Sequence, residues 1–420
     1  MEMLRAKALD LKAGAGPLAP AENARPCPLC GRAAAEKLAE IDYVMFDGCA
    51  LERPVRLLAC PDCGLVYDEI KDPDSIKRYY IEQARYSGDI GPRAEFDQRR
   101  FQDSHKIISP HLPDRGTMIV DVGCAKGFFL TLMREYGYRN LTGVDLNRAC
   151  LELLAAQGFG AAFGEAEHIP LPDGAAGLVH SSNVFEHLYD LRSAALEVHR
   201  VLKPGGLFFL EAPETKDYAG CCLIRQQWLF PEHINLLSRG HLEELLKATG
   251  FSILDSGLKG LYYSYLNVTP LAYVLGCKEN ASGGYQIKHI SMKGQIMKRL
   301  AGEAGRLAET QTLVDQWAAE GRGLFLWGLG TAFGFYYAQL DWSRSNIKAL
   351  VDRDPLAVRW RFGGREVRGL EALAEAGPSD VVLGFAVAHA DGMKDYLKSI
   401  NFQGRFFDLA GLGEQPGGPQ

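Results

Sequence analysis

Apolar and polar positions alternate along this chain in two rhythms. Between about 114 and 260, short apolar runs rich in β-branched residues take turns with stretches of helical spacing. That alternation predicts a mostly parallel, doubly wound sheet, the α/β class. Its clearest unit is the apolar strand Ile119-Val120-Asp121-Val122, the turn Gly123-Cys124-Ala125-Lys126-Gly127, and an amphipathic helix from Phe128 to Tyr136. A second strand, Leu141 to Asp145, ends in a carboxylate, and a third runs from Gly206 to Glu211. The pattern returns over 321–420, with strands at Leu324 to Gly328, Ile347 to Asp352 and Asp380 to Ala386. Residues 261–320 between the two units read as a helical linking region, with a helix from Met292 to Gly321.

The first third of the chain reads differently. Residues 1–25 are rich in Ala, Gly and Pro and predict a loosely ordered arm. Residues 26–75 carry short β segments, Val55 to Ala59 and Leu65 to Tyr67. A helical connector is expected over 76–113, with turns from Asp74 to Ile81 and from Ala94 to Ile108, ended by Pro110 and Pro113.

Composition narrows the function classes. At 420 residues the chain exceeds one ordinary core, so two or three domains are expected. A net charge of −6 gives no support for nucleic acid or an anionic membrane as partner. No apolar run reaches the ~18 residues that span a bilayer. The stretch Leu261 to Cys277 comes closest and is broken by Asn267, Pro270 and tyrosines. Ten cysteines without a secretory signal point to a reducing, cytoplasmic setting, with metal or free thiols rather than disulfides.

Four of those cysteines fall in two hooks, Cys27-Pro-Leu-Cys30-Gly and Cys60-Pro-Asp-Cys63-Gly. Each turn aims two thiolates at one point, and four thiolates complete a closed tetrahedral zinc site of the structural kind. A redox Cys-x-x-Cys would need only one such turn, at the start of a helix. Cys49 is an extra cysteine, expected to be buried.

In a parallel sheet the ends of the first two core strands open onto one crevice. A glycine turn there could serve a dinucleotide, but Gly-Cys-Ala-Lys-Gly departs from Gly-x-Gly-x-x-Gly. Three further segments follow in order: Gly164-Glu165-Ala166 through Pro172-Asp173, Leu178 through Asn183-Val-Phe-Glu-His187-Leu188, and Val198 through Lys203-Pro204-Gly205-Gly206. Together these resemble the class I methyltransferases, although Gly177 stands where that family often has Asp. The resemblance implies that S-adenosylmethionine is held by Asp121, Gly123, Gly127, Asp145, Leu146, Glu165, Ala166 and Asn183. Asp145 would take the ribose hydroxyls, and Glu165 and Ala166 the adenine edge.

Cysteine hooks, a cofactor core and a second Rossmann-like α/β unit, in that order, resemble the three-domain nucleotide-sugar C-methyltransferases. Those enzymes methylate a keto-sugar joined to a nucleoside diphosphate. Their Tyr-x-Glu-His segment matches Phe230-Pro231-Glu232-His233, their Tyr-Ser stretch matches Tyr86-Ser87, and a histidine after the fourth strand matches His187. The resemblance makes His233, Glu232, His187 and Tyr86 the catalytic set. A carbon nucleophile requires a base beside the ketone, a task for which imidazole is suited, and a donor for the enolate oxygen. The long connection after Glu211, with Trp228, Phe230, Glu232 and His233, reads as part of the substrate wall.

Phe230 lacks the hydroxyl of the family tyrosine, which leaves open an O- or N-methyltransferase acting on a glycan or natural-product intermediate. A non-catalytic zinc-hook scaffold is the third reading. In the last unit, Gly328-Leu-Gly330-Thr-Ala-Phe-Gly334 with Asp352 fits either a nucleotide contact or a ligand-free domain. The expected partner is a small molecule; the oligomeric state leaves no trace in the sequence.

Overall fold

The structure, a computed structural model, describes residues 25–51, 53–84, 92–112, 114–216, 230–262, 268–279, 285–386 and 389–409. The first of three regions has strands β1 (Glu36–Ile41), β2 (Val55–Ala59) and β3 (Val66–Asp68), then helices α1 (Asp74–Arg78) and α2 (Pro92–Ile108). The middle region runs β4 (Ile119–Val122), α3 (Phe128–Glu135), β5 (Leu141–Asp145), α4 (Arg148–Ala156), β6 (Gly160–Phe163) and β7 (Ala176–Ser182). It continues with α5 (Leu191–Val201), β8 (Leu202–Pro213), β9 (Asn235–Leu236), α6 (Arg239–Ala248), β10 (Phe251–Tyr262) and β11 (Val268–Lys278). The last region has α7 (Lys293–Ala319), β12 (Gly323–Trp327), α8 (Thr331–Gln339), β13 (Asn346–Val351), β14 (Arg361–Phe362), β15 (Arg365–Arg368), β16 (Val381–Gly384), α9 (Ala390–Ser399) and β17 (Arg405–Asp408).

The central sheet has the order β10-β11-β8-β7-β4-β5-β6. From β8 to β6 every pairing is parallel, while β11 lies antiparallel to both neighbours. Helices cover both faces, so all four residues of β4 are buried, as in parallel sheets generally. Side chains cap the helices that leave the strand ends. Asn147 accepts from Cys150 N at α4, and Asp190 accepts from Arg192 N and Ser193 N at α5. At α6 the Ser238 hydroxyl lies 2.9 Å from His241 Nδ1, and the Glu214 carboxylate accepts from Arg239 N at 2.8 Å.

The central sheet runs past residue 260, where a helical link was expected. β11 occupies 268–278, and the long helix α7 starts only at Lys293. Facing β8 buries Leu271, Ala272, Val274 and Leu275, which gives this apolar segment a reason to be a strand.

The cysteine-hook region does not close on itself. Its sheet has the order β1-β2-β3-β9, and β9 comes from the connection after β8. Arg25, read from sequence as the end of a loose arm, is 2% exposed and bonded to the core. One apolar cluster joins Ile41, Leu57 and Val66 of this sheet to Leu300 and Trp317 of α7 and to Phe333 and Leu383 of the last region. Contact there is close: a Cβ on Gly334 of α8 would lie 2.4 Å from the carbonyl oxygen of Val44.

The last sheet has the order β14-β15-β13-β12-β16-β17, parallel except for β14. Among the described residues no helix is long and apolar enough to cross a membrane.

Candidate functional site

The carboxyl ends of β5, β4 and β7 lie side by side, since β4 pairs with both neighbours. Gly123 leaves β4 at φ +74°, and a Cβ there would meet Val184 Cγ2 at 2.2 Å, so only glycine fits. Gly123 N and Cys124 N both donate to Val144 O, at 2.8 and 3.2 Å, which ties the turn to β5. Asp145 ends β5 with its carboxylate anchored twice: Oδ2 accepts from Ala125 N and Oδ1 from Asn147 N, each at 2.8 Å. Burial pushes its pKa up, and those backbone donors oppose the shift.

The remaining expected cofactor residues gather at the same end of the sheet with one exception. Leu146 is half-buried and Ala166 buried, while Glu165 is ion-paired to Lys77 Nζ of α1 at 2.6 Å. Asn183 sits just past β7 at φ +55°, its Oδ1 enclosed and without a hydrogen-bond partner. A buried acceptor left open beside the crevice is what a ligand donor would satisfy. Asp121 is the exception, because its Oδ1 is engaged by His180 Nδ1 at 2.7 Å. The His180 ring stacks on Phe129, 3.6 Å between centroids, and on Phe209 at 5.6 Å. This buried pair braces β4 against β7, and sequence spacing gave no hint of it.

Past β7 the chain makes a short 3-10 turn, Phe185–His187, facing the segment 230–233. His187 Nδ1 donates to the backbone oxygen of Glu232 at 2.8 Å, which leaves Nε2 with a free lone pair. His187 and His233 stand 5.0 Å apart between ring centroids, with Tyr80 against His187 and Phe230 against His233. Burial pushes His187 down to about 4, so its imidazole is neutral at ordinary pH. Burial also raises the Glu232 carboxyl. Glu232 thus contributes a backbone carbonyl to His187, a role the sequence did not suggest. Tyr86 and Trp228 lie outside the described residues.

Sequence reasoning missed Glu186. It is 1% exposed, neither carboxyl oxygen has a hydrogen-bond partner, and Oε1 lies 3.7 Å from His187 Nε2. Burial pushes this carboxyl up to about 8; Glu211 and Glu232 add to the shift and Arg100 opposes it. Its place next to His187 was visible, but its burial was not. Ligand atoms of Glu186, His187 and His233 lie within 4.8 Å of one another, a set that could also take a cation. Behind them, Glu211 accepts from Ser182 Oγ at 2.5 Å and pairs with Lys259. Burial disfavours the charge on Glu211, yet Lys259 and Arg100 outweigh it and hold its pKa low.

The two cysteine hooks fold alike. Gly31 N donates to Cys27 O at 2.8 Å, and Gly64 N to Cys60 O at 3.0 Å. Cys27 Sγ lies 3.5 Å from Cys63 Sγ, Cys30 Sγ 3.4 Å from Cys60 Sγ, and all four lie within 4.8 Å. A tetrahedron with metal–sulfur bonds of ~2.3 Å has edges of about 3.8 Å, so the four atoms could hold one ion. Hydrogen bonds among the thiols, with Cys27 foremost, pull Cys60 and Cys30 below the usual thiol range, and the same contacts push Cys27 and Cys63 above it. Cys49, expected to be buried, is half-buried. In the last region, Leu329 N donates to Asp352 Oδ2 at 2.7 Å, repeating the bond between the first glycine turn and Asp145.

Residues 93–256 match the family model described as a methyltransferase domain. The central segment is thus similar to methyltransferase domains. Over 156 residues the chain is 29% identical to a probable S-adenosylmethionine-dependent methyltransferase of Mycolicibacterium smegmatis, covering 36% of this chain and 59% of that protein. Over 96 residues it is 36% identical to a malonyl-acyl-carrier-protein O-methyltransferase of Serratia marcescens, covering 22% and 36%. Over 218 residues it is 29% identical to C-methyltransferase NovU of Streptomyces niveus, covering 48% and 47%. The chain therefore spans about a third to three-fifths of these relatives' lengths. The matched segment includes the glycine turn, Asp145 and the Glu186-His187-His233 group.

The Glu186 carboxyl ties stability to pH. Its folded pKa of about 8 exceeds the unfolded 4.5, so its contribution is complete below the unfolded value and is lost as pH rises through about 8. Glu186→Gln is expected to match the parent near pH 5 and to be the more stable protein near pH 9. Denaturant unfolding at both pH values checks this, and parallel pH curves for the two proteins would refute it.

Proposed function

We propose that this chain transfers the methyl group of S-adenosylmethionine to a carbon of a nucleotide-linked keto-sugar, through an enolate, as a cytoplasmic biosynthetic enzyme. The observation that carries this reading is the pair of imidazoles, His187 and His233, 5.0 Å apart beside the cofactor crevice. Similarity over 48% of the chain to a protein named as a C-methyltransferase supports it.

When bound, S-adenosylmethionine supplies a methyl group on a positively charged sulfur. This chain's residues do the rest. Asp145 would hold the ribose diol, and Leu146, Glu165, Ala166 and Asn183 would complete the cofactor-binding set. Alignment of the acceptor carbon is then mainly a matter of positioning. His233 removes the proton beside the ketone. His187, neutral and fixed by the Glu232 carbonyl, orients the acceptor, and the uncharged Glu186 carboxyl keeps the surroundings hospitable to a growing negative charge. Tyr86 and the Glu232 carboxyl belong to the same proposed set. The four cysteines take a structural zinc ion, and the last α/β region is a Rossmann-like unit.

Phe230 supports a second reading. Its ring packs 5.1 Å from His233 and offers no hydroxyl to an enolate, which suits O- or N-methylation of a glycan or natural-product intermediate. The O-methyltransferase relative, 36% identical over 96 residues, favours the same alternative.

Methyl-labelled S-adenosylmethionine and a panel of keto-sugar nucleotides in deuterated water decide between them. The expected result is methyl label on carbon, with solvent deuterium washing into the corresponding carbon of the unmethylated substrate. Label on oxygen or nitrogen without exchange selects the second reading. His233→Ala is expected to lower turnover by about 100-fold or more while calorimetric cofactor affinity stays within about twofold, whereas Asp145→Ala abolishes cofactor binding. If His233→Ala turns over at nearly the parent rate, the base assignment is wrong.

Cys27→Ser is expected to lose bound zinc and to lower the unfolding temperature, because the metal contributes folding energy. Metal analysis of the purified variant checks this; an unchanged zinc content would exclude a four-thiolate site.

A further inference from the structure

The segments that carry the two imidazoles are bonded to each other, through His187 Nδ1 to Glu232 O and through Asn235, and both are also bonded to one side chain from outside them. His187 and His233 sit 46 positions apart in sequence, and each is followed at once by backbone that meets the same side chain. That side chain is Arg25, two residues before the first hook cysteine. Its Nη2 donates to Leu188 O at 2.9 Å and Tyr189 O at 2.7 Å, and its Nε also reaches Tyr189 O, at 3.2 Å. Its Nη1 donates to Ile234 O at 3.3 Å and to Asp68 O at 3.1 Å. Nη2 also donates to Asn235 Oδ1 at 3.0 Å.

One guanidinium therefore joins the residues just after His187, the residues just after His233, and the end of strand β3. Asn235 completes the clamp, since its Nδ2 donates to Phe185 O at 3.0 Å and to Leu188 O at 2.7 Å. Both side chains are enclosed, Arg25 at 2% exposure and Asn235 at 1%. The rings of Tyr67 and Tyr189 lie 5.6 and 4.7 Å from the guanidinium carbon, which helps confine it.

We propose that Arg25 is a positioning residue: through backbone carbonyls it sets the separation and orientation of His187 and His233, and it couples that geometry to the cysteine hook. The guanidinium plane is what makes this possible. Its five N–H donors form a rigid fork that reaches several acceptors at once, whereas a lysine ammonium is a point charge on a flexible stem. The coupling runs along the chain, from the hook at Cys27 through Pro26 to Arg25, and back through β3, which pairs Val66 with Leu236 and Tyr67 with Asn235. Disorder in the hook would thus reach the acceptor end without touching the glycine turn or Asp145.

This proposal rests on the reading of the acceptor end given above, and its test separates the two. Full-length Arg25→Lys and Arg25→Gly proteins are compared with the parent. Imidazole nitrogen NMR signals of His187 and His233, assigned by single substitutions, report their geometry without any acceptor. Both signals are expected to shift or broaden in Arg25→Lys, while calorimetric affinity for S-adenosylmethionine stays within about twofold of the parent. Turnover on the keto-sugar nucleotide panel is expected to fall by about 100-fold, the scale of an ångström-sized misplacement. Guanidinium ion added to Arg25→Gly is expected to recover part of the NMR pattern.

Unmoved imidazole signals in a folded Arg25→Lys protein would overturn the proposal. So would turnover within about twofold of the parent. If Arg25→Gly does not fold, the lysine variant decides. If the parent itself methylates nothing in the panel, the functional reading fails, and the NMR comparison still decides the role of Arg25.

Discussion

Two residues of β ladder hold this molecule's chemistry in register. β3 has an edge whose backbone groups need partners, and the chain that returns from the central sheet lends it Asn235 and Leu236. Asp68 N extends the pairing to Ile234 O at 2.9 Å. This pairing anchors residues 234–236, and with them the preceding Glu232 and His233, beside β3. The hook region, the acceptor end and the central sheet are fixed relative to one another by this short contact.

The acceptor end is arranged so that few of its groups carry charge. Burial, the largest cause at each, makes both a neutral imidazole at His187 and a neutral carboxyl at Glu186 favourable near neutral pH, and Glu211 and Glu232 add to the shift at Glu186. The charges that remain close by, Glu211 and Lys259, neutralise each other inside the sheet. In such enclosed, low-dielectric surroundings a small change in charge on a ligand is felt strongly. The glycine-turn end differs, with the Asp145 carboxylate held by backbone donors.

Much of this was legible in the sequence wherever cause and effect are local. Strand, glycine turn and helix at 119–136 follow from a few consecutive residues, as do the two cysteine turns, and the structure keeps both where spacing placed them. The parts that were hidden depend on distant contacts. A two-residue strand such as β9 has no periodicity to read. β11 is apolar enough for helix or strand, and only its fit against β8 decides. Asp121 is engaged by His180, a partner 59 positions away that no local pattern reveals. The enclosure of Glu186 and Arg25 was hidden too, since nothing in one sequence reveals that a charged group will be buried.

The apolar cluster that unites the hook sheet, α7 and the last α/β region bears on how the chain comes to be made. The hook is synthesised first, yet the side chains that shield its inner surface, among them Trp317, Phe333 and Leu383, leave the ribosome more than two hundred residues later. Until then Ile41, Leu57 and Val66 have no lasting cover, so the amino-terminal part must wait for the carboxyl-terminal part before it is finished. An evolving lineage could not readily discard or exchange one outer region without redesigning the other.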